Sequence, residues 1–139
     1  MLAPPSPAAE LPGPYRAFVE RVVDGDTLAV RATIWLGQEV RVLVRLRGVD
    51  APELRAACAR ERAMAKASKA ALAELLGEGA VTLSSIDADK YGGRVVADVA
   101  RADGADLAAL LLAAGHARPY GGGSRAPWCV ARAKLEDPR

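Results

Sequence analysis

Residues 39–50 read EVRVLVRLRGVD, and their alternation decides the fold. Val40, Val42, Val44 and Leu46 alternate with Arg41, Leu43, Arg45 and Arg47. A period of two belongs to a strand, here with one apolar face and one largely basic face. Gly48 lets the chain bend, which re-aims Asp50 relative to Arg45. On a straight strand these two side chains would point to opposite faces.

Upstream of this strand, residues 15–24 (YRAFVERVVD) are rich in β-branched and aromatic side chains and end at Asp24-Gly25. Asp-Gly between apolar runs signals a hairpin, so Asp26 to Ile34 is the returning strand. Downstream, Pro52 closes the strand region. Residues 57–76 follow a helical spacing through Met64, Ser68, Ala71, Leu72 and Leu75, with Gly77 as the C-terminal stop. Two strands, around 80–86 and 93–101, flank the polar turn Asp87–Gly93. A second helix spans about 105–114, with Asp106 in its first turn and Gly115 as its stop. A Gly-rich segment with Trp128 ends in a short helix expected over 126–135. Three strands, a helix, two strands and a helix are the order of an α+β fold: a five-stranded antiparallel OB-fold barrel. Its first helix lies between strands three and four, its second after strand five, and a short C-terminal segment follows.

The chain has 139 residues, which suits a single domain, taken as 15–139 after a flexible N-terminal tail over 1–14. Hydrophobic residues make up 51%, much of it alanine, so the core must rest on Val, Leu and Ile. A net charge of +2 permits a nucleic-acid partner and does not argue for one. No stretch reaches the roughly eighteen apolar residues of a membrane-spanning helix, so no membrane partner is expected. The Pro- and Ala-rich opening is not an intact signal peptide.

Three short segments carry the chemistry: Asp26 in VVDGDTL, then Arg45, Asp50 and Glu53 in VRLRGVDAPEL, then Arg94 in DKYGGRVVADV. Two carboxylates can hold a hard divalent cation, two guanidiniums can clamp a phosphate, and a further carboxylate can handle a water. That set suffices to hydrolyse a phosphodiester with one metal ion. Each residue alone has a plainer reading. Asp26 is a turn residue, Arg45 with Arg41 and Arg47 makes a solvated basic face, and Glu53 favours the dipole of the helix after it.

DGDT at 24–27, VRLRGVDAPE at 44–53 and DKYGGR at 89–94 together resemble the staphylococcal nuclease-like (thermonuclease) family, with a likeness over roughly residues 17–120. The resemblance implies the barrel just described and Ca²⁺-dependent hydrolysis of DNA and RNA that leaves 3′-phosphate ends. It makes Asp26 and Asp50 side-chain metal ligands, with the Ala51 carbonyl as a backbone ligand. Arg45 and Arg94 would bind the scissile phosphate, and Glu53 would act on the attacking water as base or positioner. Lys90 and Tyr91 would contact a terminal phosphate, and Tyr120 would lie near the base of the bound nucleotide. The sequence departs from the archetype at Ala51, which replaces a hydroxyl residue, at the extra Gly93 before Arg94, and in a shorter end holding Trp128-Cys129. The competing expectation is a catalytically silent OB-fold module that binds nucleic acid or protein.

The two cysteines, Cys58 and Cys129, are either buried thiols in a reducing cytosol or one bridge from the first helix to the C-terminal segment. The bridge implies export to an oxidising compartment, periplasmic or secreted, and is the favoured expectation. No obligate protein partner is implied, and a monomer is expected. His116 is given no catalytic role, and Trp128 is expected to anchor the tail.

Overall fold

The computed structural model describes residues 11–89, 93–121 and 128–129. The period-two stretch forms β3 (Gln38–Leu46), flanked by β1 (Tyr15–Asp24), β2 (Thr27–Trp35) and the short β4 (Val49–Asp50). Helix α1 (Ala59–Leu76) leads to β5 (Ala80–Ala88) and β6 (Arg94–Arg101). Helix α2 (Leu107–Ala113) and the short β7 (Arg118–Pro119) follow. Five strands close a barrel in the order β1-β2-β3-β6-β5, with β1 hydrogen-bonded to β5, and β4 pairs with β7. This is the α+β OB-type barrel, with α1 between its third and fourth strands.

One expectation needs correcting. The barrel is not wholly antiparallel, because β3 and β6 pair in parallel. A tight hairpin cannot join parallel neighbours, and here α1 and β5 supply the long crossover.

The alternation in β3 is realised as Val44 and Leu46 inside the barrel, with Leu28 and Val30 from β2, Leu83 from β5 and Val99 from β6. Leu72 of α1 and Leu107 and Leu111 of α2 join the same core. The inward stripe of α1 is Glu61, Ala65, Ser68, Leu72 and Leu76; it shares Ser68 and Leu72 with the expected one, whose Met64, Ala71 and Leu75 are only half-buried. Cys58 sits at its N-cap, one residue inside the expected start, and Asp106 caps α2 through Ala109 N at 3.0 Å rather than lying in its first turn.

The β1–β2 hairpin forms where Asp-Gly signals it, but the two turn residues are Gly25 and Asp26, because Asp24 pairs with Thr27. Gly25 is required by space. A Cβ there would lie 2.6 Å from the Cβ of Ser68 on α1 and 3.0 Å from that of Ala51. At the other end of the site, Gly48 adopts φ +84°, a left-handed bend that ends β3 two residues after Leu46 and turns the chain into β4.

The expected flexible tail over 1–14 is also corrected at its inner end. Leu11 exchanges two backbone hydrogen bonds of 2.8 Å with Ile86, and Ser85 N donates to Pro12 O at 3.0 Å. The β5/β6 register slips between Ser84 and Asp87, which frees backbone groups of β5 for this segment. At the far end Trp128 and Cys129 are helical, and the rest of the helix expected over 126–135 lies outside the described residues. Cys58 and Cys129 are bridged, with Cα atoms 5.9 Å apart, so the C-terminal segment is tied to the N-cap of α1.

Candidate active site

The β1–β2 turn, the end of β3 and the Gly48 bend converge on one corner of the barrel. Leu46 N donates to Asp26 O at 2.9 Å, which fixes the turn against β3. Asp26 and Asp50 are both buried, at 7% and 2% exposure. Buried carboxylates need counter-charges and donors, and each oxygen has them. Asp26 Oδ1 accepts from the Thr27 hydroxyl at 2.9 Å, and Oδ2 accepts from Ala51 N at 3.0 Å.

Between the two acids stands Arg45. Its Nη1 is 3.4 Å from Asp26 Oδ2, and its Nη2 is 3.6 Å from Asp50 Oδ1 while donating to Val49 O at 3.1 Å. The Gly48 bend therefore does what the sequence required of it, bringing Asp50 back to Arg45. The Tyr120 ring lies under the Arg45 guanidinium, with Cζ 5.1 Å from its centroid, and Tyr120 N donates to Gly48 O at 2.9 Å. Planar guanidinium over ring is a favourable cation–π arrangement that also holds Arg45 in place.

Arg94 opens β6 beside Leu43, while Val96 faces Arg45. Side chains two apart share a face, so Arg94 and Arg45 project from the same face of the parallel pair. Their Cα atoms are separated by roughly 8 Å on strand spacing and rise. Arg94 is anchored by Asp89, with Nε at 2.7 Å and Nη2 at 2.6 Å from Oδ2. Asp89, read from sequence as a turn residue, is thus an orienting partner.

Glu53 is exposed, three residues past Asp50, and its backbone N–H donates to the buried carboxylate of Glu61 at 2.8 Å. Turn residues separate it from α1, so it does not serve the helix dipole; Glu61 is the acid in that first turn. Asp24 ionises above the ordinary carboxylate range, first because burial penalises its charge and then because Asp26 and Glu53 repel it. Lys69 and Arg55 partly offset this. Asp24 thus shares a negative neighbourhood with Asp26 and Glu53.

Arg41 and Arg45 of β3 and Arg47 just past its end separate by role. Arg41 pairs with Glu20 at 3.4 Å on the exposed barrel wall. Arg47 clasps the neighbouring strands through Asp87 at 3.1 Å, Val96 O at 3.2 Å and Ser85 O. Only Arg45 faces the acidic corner. Lys90 and Tyr91 lie outside the described residues.

Several residues of the corner carry no sequence signal that finds them. Arg118 on β7 reaches Asp50 Oδ2 at 3.2 Å, and the Trp128 indole N–H donates to the same oxygen at 3.1 Å. The Arg118 guanidinium stacks on the Trp128 ring, 4.0 Å from its centroid. Trp128 is thus more than the tail anchor expected of it. The Cys58–Glu61–Cys129 cluster offers no thiolate to a metal, because its sulfurs are bonded to each other.

Oxygen donors from Asp26, Asp50 and the Ala51 carbonyl suit a hard divalent cation. The guanidinium now balancing both buried acids marks where positive charge is wanted. A closed OB-type barrel thus carries this acidic pair, its bridging arginine and a second arginine on the same face. Residues 43–127 match the sequence model of the staphylococcal nuclease homologue family, which is more than half of the chain, and the chain belongs to that family. The matched segment contains Arg45, Asp50, Glu53 and Arg94. Asp26 precedes it and is joined to it by the contacts above. No curated protein matches the chain.

Proposed function

We propose that the protein is a calcium-dependent nuclease that hydrolyses DNA and RNA, preferring single strands with little sequence selectivity, and leaves 3′-phosphate ends. The observation that carries this reading is the position of Arg45 between the buried carboxylates of Asp26 and Asp50. Asp26, Asp50 and the Ala51 carbonyl would hold the ion, which when bound supplies positive charge beside the phosphate and acidifies a water.

The protein's own groups account for the remaining steps. Arg45 and Arg94 approach from one face and donate to the non-bridging oxygens of the scissile phosphate. Their planar forks match the charge that grows on those oxygens in the transition state. Glu53 accepts a hydrogen bond from the attacking water, which it orients or deprotonates as the water adds in line to phosphorus. Glu61 holds the Glu53 backbone, and the residue is exposed. Tyr120 beneath Arg45 supports the fork and offers its ring edge to the nucleotide. Recognition runs through the phosphate backbone, so affinity falls as salt rises. The bridge between Cys58 and Cys129 supports an oxidising compartment, periplasmic or extracellular, as the place of action. Among the described residues no helix is long and apolar enough to cross a membrane.

The test follows labelled single-stranded DNA with Ca²⁺ and with chelator, for the wild type and Glu53→Ala, and types the ends produced. The expected result is calcium-dependent cleavage to 3′-phosphates, largely lost in the variant. A folded wild type that binds DNA in a salt-sensitive way and never cleaves it would make the chain a binding module.

A further inference from the structure

The disulfide and Trp128 bear on Asp50 in a way the nuclease reading leaves unused. Asp50 Oδ2 accepts from both Trp128 and Arg118, while Oδ1 faces Arg45. The two oxygens of this carboxylate are therefore differentiated: one is held by donors from the C-terminal part of the chain, the other is turned toward the Asp26 side. Trp128 is adjacent to Cys129, which is bonded to Cys58 at the N-cap of α1. The same bridge lies against Glu61, whose Oε1 is 3.3 Å from Cys129 Sγ and whose Oε2 holds the Glu53 backbone. A bridged sulfur has no proton to donate, so this is a packing contact.

We propose that Trp128, seated by the Cys58–Cys129 bridge, is a positioning residue for Asp50: its indole N–H occupies Oδ2 and keeps Oδ1 as the metal-binding oxygen. The proposal rests on the nuclease reading above. An outer hydrogen bond that orients a carboxylate ligand changes metal affinity by about 10–100-fold when it is lost. Arg118, stacked on the indole, keeps the ring plane fixed and shares the same oxygen. The bridge supplies what Trp128 lacks by itself, a rigid attachment to the element beside the site.

Calcium titrations by calorimetry, with a nucleoside 3′,5′-bisphosphate present, test this on wild type, Asp50→Asn, Trp128→Phe and the Cys58→Ser/Cys129→Ser double variant. Trp128→Phe keeps the bridge and an aromatic ring for Arg118, and removes the N–H with the rest of the fused ring. Its calcium affinity is expected to fall about tenfold or more. Its cleavage rate, low at limiting calcium, should recover at saturating calcium, which a general folding defect would not allow. The double-serine variant should weaken calcium in the same direction, and Trp128→Phe added to it should have little further effect. In a Trp35→Phe chain, where Trp128 is the remaining tryptophan, calcium should shift the emission, and Asp50→Asn should abolish the shift. If Asp50→Asn abolishes calcium binding while Trp128→Phe leaves it unchanged or tighter, the positioning role is wrong and the nuclease reading stands. If wild type binds no calcium that depends on Asp50, both fall.

Discussion

Arg94 and Asp89 form a tight ion pair at the start of β6, with two guanidinium nitrogens, Nε and Nη2, on a single carboxylate oxygen at 2.7 and 2.6 Å. In the proposed reaction the pair fixes the direction of Arg94 before the phosphate arrives, which lowers the entropy lost on binding. Arg94→Lys keeps the charge and loses the fork, as does Arg45→Lys. Each is expected to lose two or more decades in kcat/KM, about 3 kcal/mol of transition-state stabilisation. Asp89→Asn should cost less, about tenfold, because the arginine remains and only its anchor weakens. Steady-state kinetics on one oligonucleotide ranks the three. A Lys variant near the wild-type rate would mean that charge alone suffices at that position.

Gly25 touches α1 without a side chain. In Gly25→Ala the new Cβ would sit 2.6 Å from Ser68 Cβ, so the hairpin or the helix must shift. Overpacking of this kind costs about 1–3 kcal/mol. The displaced turn also carries Asp26, so calcium binding should weaken along with stability. Denaturant unfolding and calorimetry on the same sample would show whether the two losses travel together.

The Cys58–Cys129 bridge spans 71 residues of sequence. On the chain-entropy model, opening it removes about 4 kcal/mol of stability. The double-serine variant should therefore unfold at markedly lower denaturant than wild type, and wild type treated with a dithiol should match it. Equal midpoints for bridged and opened protein would show that the bridge adds nothing to stability.

Asp24 gives a dependence on pH in the metal-free protein. Its folded-state value is raised above the ordinary 3.8, chiefly by burial. The unfolded chain ionises this group first, so its contribution opposes folding once pH rises past the ordinary value, and does so fully above the raised one. Below the ordinary value both states are protonated and the penalty vanishes. Asp24→Asn is then expected to be more stable than wild type at neutral pH in chelator, with the gain fading as pH falls toward 3.8. Paired unfolding curves from acid to neutral pH would check the sign. A gain that persists unchanged at low pH would have some other cause.

The sequence was most legible where a residue's own neighbours decide its conformation. The alternation in β3, the hairpin after Asp24 and the ends of both helices are local, and the barrel follows from their order. The parallel pairing of β3 with β6 was not readable, because strand direction depends on how a crossover packs. The site divides in the same way. Asp26, Arg45 and Asp50 lie in short motifs, and the structure brings them together. Arg118 and Trp128 reach Asp50 across sequence separations of 68 and 78. Nothing in ARPY or PWC announces a contact with a carboxylate so distant along the chain. Arg47 shows the converse: it shares a strand face with Arg45 in sequence, yet it serves the sheet.

The bridge also alters what distance along the chain means for the site. Trp128 and Asp50 are 78 residues apart on the backbone. Through the sulfurs the path runs from Asp50 to Cys58, across to Cys129 and back one residue, about ten steps, which lowers the closure cost by roughly 2 kcal/mol. In the oxidised chain the indole is effectively a local neighbour of the acid it touches, re-finding it after each excursion as a turn residue re-finds its partner. In the opened chain the same contact must be closed across the full 78 residues.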